Sequence, residues 1–214
     1  MPRGKGLLST AASLIPEHYD LEQLKEAAAG CRACPLWERG TQTVFGEGLP
    51  TARLILVGEQ PGDAEDRQGR PFVGPAGRVL DRALGMAEIE RSDAYVTNVV
   101  KHFKWESQGK RRLHTKPNAR EIGACLPWLD AEIDLIRPQV LVALGSTAAQ
   151  TLFGPKLLVT RDRGHPLASS RAPVALATIH PSAILRVETD EQRRQAMELF
   201  VADLRVAAAA LRKA

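Results

Sequence analysis

Four short runs dominated by aliphatic residues, Arg53 to Gly58, Ala94 to Val100, Gln139 to Leu144 and Val174 to Ile179, punctuate the chain, and polar or glycine-bearing residues follow each of them. Runs of this length, rich in Val, Ile, Leu or Ala and bounded by turn residues, read as buried strands. Helix-like segments separate them. Strands alternating with helices form a mostly parallel sheet covered by helices on both faces, which makes this an α/β chain.

The helix boundaries are readable. Pro75 suits the first turn of a helix running to about Gly85, where the glycine can stop it. Asn118 followed by Glu121 reads as a capping box that opens a long helix through Ile136, ended by Pro138. Ser146 is placed to cap a short helix to Leu152, and Asp190 to cap a terminal helix whose apolar Met197, Phe200, Val201, Leu204 and Val206 to Leu211 would pack on the sheet.

With 214 residues and 44% hydrophobic content the chain can bury one substantial core, and no shift of composition divides it. The expected organisation is a lead-in over residues 1–20, flexible or locally helical, and a single domain over 21–214. Met1 to Pro16 faintly imitates a secretory signal, but Ser9, Thr10 and Ser13 break its apolar stretch. No run is long enough to span a bilayer. Three cysteines, an odd number, argue against a secreted disulfide framework, so a reducing cytoplasm is expected; a monomer is expected because nothing in the sequence requires more.

In a parallel sheet, ligands bind just beyond the carboxyl ends of the strands. That rule selects Gly58-Glu59-Gln60-Pro61-Gly62-Asp63, then Asn98 onward, then Gly145-Ser146, then His180-Pro181-Ser182. The first presents two carboxylates at the mouth of a strand, where an ordinary polar turn is the alternative. Between them, in Arg70 to Arg78, two glycines and two prolines fix the backbone around Phe72, either a core side chain or a stacking platform for a flat base. His180, held by the proline behind it, is either structural or placed to stabilise developing negative charge.

The net charge of +4 is compatible with a polyanionic partner without identifying one. Its distribution says more. From Lys101 to Arg120 the chain carries Lys104, Lys110, Arg111, Arg112 and Lys116, with Phe103 and Trp105 interleaved. Within it Gly109-Lys110-Arg111-Arg112-Leu113-His114 places an imidazole at the end of a cationic loop. Most such runs are solvated surface, but adjacent cations can also hold a phosphate backbone while disfavouring the charged form of the histidine. Cys31 and Cys34 have a spacing that lets two thiolates reach one centre, with Cys125 a third donor and His102 a candidate fourth. A zinc ion, a redox pair and free buried thiols all remain open on spacing alone.

Taken in order, Cys31-x-x-Cys34, Gly58 to Asp63, Pro71-Phe72-Val73-Gly74, Thr97 to His102, Lys110 to His114 and His180-Pro181-Ser182 resemble the uracil-DNA glycosylase superfamily, near its iron-sulfur family 4. The nearest likeness is to the branch called UdgX, which becomes covalently attached to uracil-containing DNA; Gln60 and the Lys-Arg-Arg-apolar-His loop distinguish it. Leu113 stands where that branch usually has isoleucine, a change of shape more than of volume.

The resemblance implies a three-layer α/β/α sandwich around a four-stranded parallel sheet and a [4Fe-4S] cluster held by Cys31, Cys34, His102 and Cys125, with His102 in the position of a family 4 cysteine. It implies base excision from uracil-containing DNA. Phe72 would stack on a flipped uracil, Asn98 would read its pairing edge, Gln60 and Asp63 would add contacts, and His180 would stabilise charge on the departing base. His114 would attack the sugar C1′, assisted by Glu59. Lys110, Arg111, Arg112, Ser182 and Arg186 would hold the DNA. The rivals are a glycosylase that turns over freely and a non-catalytic iron-sulfur protein that binds nucleic acid. A nucleotide-binding module ranks low because no phosphate-binding glycine fingerprint is present.

Overall fold

A computed structural model describes residues 10–213. Residues 1–9 of the expected lead-in lie outside the described residues. The remainder of the lead-in is folded: Ala11–Leu14 form a single 3-10 turn that packs on a long central helix, with Ala11 fully buried.

In chain order the elements are α1 (Leu21–Ala29), β1 (Leu54–Gly58), α2 (Asp63–Gln68), α3 (Pro75–Met86), β2 (Ala94–Asn98), β3 (Trp105–Gln108), β4 (Arg111–His114), α4 (Ala119–Ile136), β5 (Val140–Leu144), α5 (Ser146–Phe153), α6 (Val159–Asp162), β6 (Val174–Thr178), α7 (Pro181–Leu185) and α8 (Asp190–Arg212). The four expected strands are all present, each trimmed at one end. They form one sheet in the order β2-β1-β5-β6 with every pair parallel.

Period-two alternation divides the strands between two cores. Ile55, Val57, Tyr95, Leu141, Ala143 and Ala177 face the layer of α1, α4 and α5. Leu54, Leu56, Val96, Val140, Val142 and Leu176 face α3 and α8. Both faces of the sheet are therefore dry, which is why its strands carry apolar residues without polar alternation. The outer edge of β2 is covered by Glu47, whose backbone exchanges two hydrogen bonds with Val96, and that edge is closed to another strand.

Several helix ends differ from expectation. The helix at Pro75 runs through Gly85 to Met86 and ends where Glu88 turns left-handed at φ 60. Gly145, not Ser146, is the N-cap of α5, and Thr189, not Asp190, caps α8, its side chain accepting from Gln192 N. Asn118 caps α4 as expected, and the helix passes through Pro127.

The largest departure lies at the basic segment. Trp105–Gln108 and Arg111–His114 pair as an antiparallel hairpin, with Gly109 in the turn at φ 59, a conformation that favours glycine. Alternation along β4 then assigns its side chains: Arg112 and His114 share one face, while Arg111 and Leu113 share the other.

Candidate active site at the sheet switch point

The chain leaves β1 outward to β2, then returns past β1 to β5, so the winding reverses between β1 and β5. A cavity of about 910 Å³ opens there, beyond the strand ends. Glu59, Phe72, Asn98, His114, Thr147 and His180 are among the residues lining it, together with Gln60, Asp63, Ser182 and Arg186.

Gly58 ends β1 directly opposite Asn98 of β2. A Cβ on Gly58 would collide with the Asn98 amide oxygen and lie 2.8 Å from Phe72 Cζ, so the absent side chain is what lets the two approach. Asn98 is 2% exposed, and among the described residues its side-chain amide has no protein partner. Phe72 is held at φ 54, a left-handed conformation that costs a non-glycine residue about 1 kcal/mol or more. Buried Glu65 fixes that loop by accepting from Gly62 N at 3.1 Å and Gly74 N at 2.8 Å. The Phe72 ring stacks on His180 with centroids 6.2 Å apart and planes 29° apart.

His180 caps α7. Its Nδ1 accepts from Ser182 N at 3.2 Å and lies 2.8 Å from Ser182 Oγ, which also accepts from Arg186 at 2.8 Å. Accepting at Nδ1 leaves the hydrogen of a neutral ring on Nε2. Burial drives the imidazole down to about 4, with Arg186 and His114 adding to the shift and Glu59 opposing it. His180 is thus a neutral donor across the ordinary pH range. Ser182, expected on DNA, lines the cavity, orients this ring and holds Arg186.

Glu59 lies across the cavity mouth from the hairpin. Burial pushes its carboxyl up, but the hydrogen bonds from His114 and Thr147 outweigh burial and hold it below the usual range. Oε1 is 3.3 Å from His114 Nε2, and Oε2 accepts from the Thr147 hydroxyl. Sequence reasoning missed Thr147, although the strand end before it, Gly145-Ser146, had been selected.

Gln60 and Arg112 are used differently from expectation. The Gln60 amide, 7% exposed, accepts from Lys104 N at 3.0 Å and donates to Lys104 O at 3.2 Å and Thr115 O at 3.1 Å. It pins the foot of the hairpin, and both ends of its amide are occupied. Arg112, expected to hold phosphate, turns inward to Asp63 and, at 2.6 Å, to Asp66, which is fully buried. Asp63, expected to contact substrate, is paired with Arg112 and with Arg67 at 2.9 Å. Lys110 and Arg111 remain exposed at the hairpin tip. Asp66 escaped notice because its partner lies 46 residues away in sequence.

Cys31, Cys34 and Cys125 are free and buried. Burial pushes the Cys125 thiol up to about 12, Lys101 opposes it, and Cys34 and Cys31 raise it further, so the three share one environment. Burial likewise raises Cys34, with Cys31 contributing. His102 is 4% exposed, and burial lowers its pKa. Thr43 gives its hydroxyl hydrogen to Ala28 O, so at 3.0 Å it accepts from His102 Nε2–H, and the lone pair of the neutral ring sits on Nδ1. Among the described residues, no three His, Cys, Asp or Glu side chains are grouped to hold a metal ion. Three buried thiols and one imidazole with a free lone pair on Nδ1 are the number of ligands that a four-iron cluster takes, with the imidazole standing in place of a fourth thiolate.

No helix among the described residues is long and apolar enough to cross a membrane. Residues 45–205 match the family model described as uracil DNA glycosylase superfamily. The chain is 39% identical over 179 residues to a Type-4 uracil-DNA glycosylase of Thermotoga maritima, covering 83% of this chain and 90% of that one. It is 36% identical to the Type-4 enzyme of Sulfurisphaera tokodaii over 77% of this chain and 76% of that protein. A Type-5 uracil-DNA glycosylase of Thermus thermophilus is more distant, at 28% identity over 69% of this chain and 77% of its own. This chain therefore belongs to the uracil DNA glycosylase superfamily.

Proposed function

We propose that this protein excises uracil from DNA as a repair enzyme and that His114, in place of water, then bonds to C1′ of the resulting sugar, as in the UdgX branch. The observation that carries the second half is the position of His114: it lines the cavity with Nε2 turned to Glu59, on a strand held from below by Gln60 and Arg112.

A uracil flipped into the cavity stacks on Phe72, and the Asn98 amide pairs with its N3–H and O4, a pattern that cytosine does not match. As the C1′–N1 bond breaks, its electron pair moves onto the base, and the His180 Nε2–H donates to O2. Positive charge develops on the sugar beside ionised Glu59. In the free protein the His114 ring holds its hydrogen on Nε2 toward Glu59; as the sugar enters, that hydrogen is exchanged through solvent to Nδ1, and the Nε2 lone pair so freed forms the new bond to C1′. The ring is then cationic and loses the Nδ1 proton to solvent, while the uracil anion takes up a proton. The resulting neutral N-glycosyl imidazole is a poor leaving group, and the adduct persists. Glu59 stands beside the attacking nitrogen, so its role here is to stabilise cationic charge on sugar and ring. Lys110 and Arg111 hold phosphates at the hairpin tip, with Arg186 at the opposite wall.

Cys31, Cys34, His102 and Cys125 would hold a [4Fe-4S] cluster that orders the segments bearing them; no step of the excision passes through it. Residues 21–214 are taken as one glycosylase domain acting as a monomer.

The names of the Type-4 relatives favour a second reading, in which water captures the sugar and the enzyme turns over. Mixing the protein with a uracil-containing single strand and a thymine control, then running a denaturing gel, separates the two. A heat-stable shift confined to uracil supports covalent capture, and many cleaved strands per protein without a shift support turnover.

A further inference from the structure

Trp105 stands directly opposite His114 in the hairpin register, so the two side chains leave the same face. The indole is anchored to a segment remote in sequence. Its Nε1–H donates to Arg39 O at 2.8 Å, and the Arg39 guanidinium lies over the ring at 4.6 Å. On the other strand Arg112 lies 5.5 Å from the indole and 5.4 Å from Phe103, whose ring is in turn 6.2 Å from His114. Gln60 fixes the residues just outside this pair, Lys104 and Thr115, but it grips backbone alone. A backbone clamp sets the height of the hairpin, and Arg112, tied to Asp63 and Asp66, holds β4 by its side chain but leaves β3 to turn about that strand. A side-chain anchor on the residue facing His114 removes that freedom.

We infer that Trp105, tied to Arg39, is a positioning residue that sets the roll of the hairpin and thereby aims the His114 imidazole at C1′. The inference rests on the reading of His114 as the group that captures the sugar. Arg39 follows Cys34 by a single turn, Pro35–Glu38, so the same anchor joins the cysteine-bearing segment to the reactive strand. Cation–aromatic contacts of this kind are strong enough to hold an orientation without dominating stability.

The test is partition. After the base has left, the sugar is captured either by His114 or by water, and the ratio of adduct to free abasic strand measures how well the imidazole is aimed. Loss of folded protein scales both products alike and leaves the ratio unchanged. Trp105→Phe keeps an aromatic ring for Arg39 and Arg112 but removes the donor to Arg39 O, whereas Arg39→Gln removes the guanidinium and keeps the donor bond. With saturating uracil-containing strand, each variant should lower the adduct-to-abasic ratio, Trp105→Ala by on the order of 10-fold or more, with uracil release close to wild type. The His114 Cε1–H resonance of the DNA-free protein should shift in Trp105→Phe and stay in place in Arg111→Ala. A wild-type ratio in all three variants overturns the inference while leaving covalent capture intact. A wild-type protein that releases uracil but forms no adduct overturns the reading beneath it, and the inference with it.

Discussion

Arg112 carries its charge into the protein, pairing at 2.6 Å with an Asp66 that is fully buried, with the Arg112 side chain itself 14% exposed. Of Lys110, Arg111 and Arg112 it is the one turned inward, and it ties β4 to α2. Replacing it by alanine leaves Asp66 with its bonds from Thr41 but without a countercharge. A loss of about 2–4 kcal/mol is expected for Arg112→Ala, against a change within about 0.5 kcal/mol for Arg111→Ala. Thermal or denaturant unfolding of the two variants side by side checks this. DNA affinity should respond in the opposite sense, with Arg111→Ala reducing the salt dependence of binding.

Gln60 serves three backbone groups at the foot of the hairpin, and its loss strands Lys104 N and Thr115 O, while Lys104 O keeps its bond from Thr115 N. Gln60→Ala should speed amide hydrogen exchange through β3 and β4 while β1, β2 and β5 keep their protection, and should cost about 1–3 kcal/mol locally. Unchanged hairpin protection would show that the amide is not what holds it. Adduct formation should fall more than DNA binding, because the displaced group is His114.

The depressed pKa of His180 makes a pH prediction of definite sign. Between pH 6.5 and about 4 the unfolded chain protonates this histidine and the folded one does not, so stability falls as pH drops through that window and levels off below about 4. The full swing corresponds to about 3 kcal/mol. His180→Gln should flatten that part of the stability profile. Glu59, whose folded pKa lies below its ordinary value, acts in the same direction at the acid end: its contribution is lost as pH falls through the folded pKa. His180→Gln should also slow uracil release by about 10²–10³-fold, read in single-turnover kinetics.

How much of this was legible in the sequence follows from where each signal resides. The sheet strands were readable because both of their faces are dry, and a run such as Leu54–Val57 has one explanation. Strand ends located Glu59, Asn98 and His180 at the cavity through a rule of topology that needs no contacts. The hairpin was missed because β3 and β4 bury little; Arg111 and Leu113 are exposed, and no apolar alternation marks them. Partner choice was also hidden, because Asp63 and Asp66 approach Arg112 only after α2 folds beside β4, and the backbone groups that Gln60 serves lie 44 and 55 residues on. The cap of α5 was placed one residue late because Gly145, at φ 91, caps through backbone alone.

The cysteine group gives a prediction independent of the excision chemistry. Protein purified without oxygen should be brown, with iron and sulfide in near-equal amounts, and Cys125→Ser should lose both colour and thermal stability. Thr43→Val, which removes the acceptor of His102 Nε2–H, should weaken iron retention while leaving the thiols in place. A colourless, zinc-loaded protein with full activity would contradict the assignment.

The most direct measurement for the central claim is to locate the bond. The protein is incubated with a uracil-containing strand, digested with trypsin and nuclease, and its peptides are sequenced by mass spectrometry. The account predicts the mass of an abasic deoxyribose residue on His114, in the peptide that begins at Leu113, with none in a thymine control and none in His114→Ser, which should instead release uracil repeatedly. Free uracil accumulating over many turnovers with His114 unmodified, or the added mass on another residue, would contradict it.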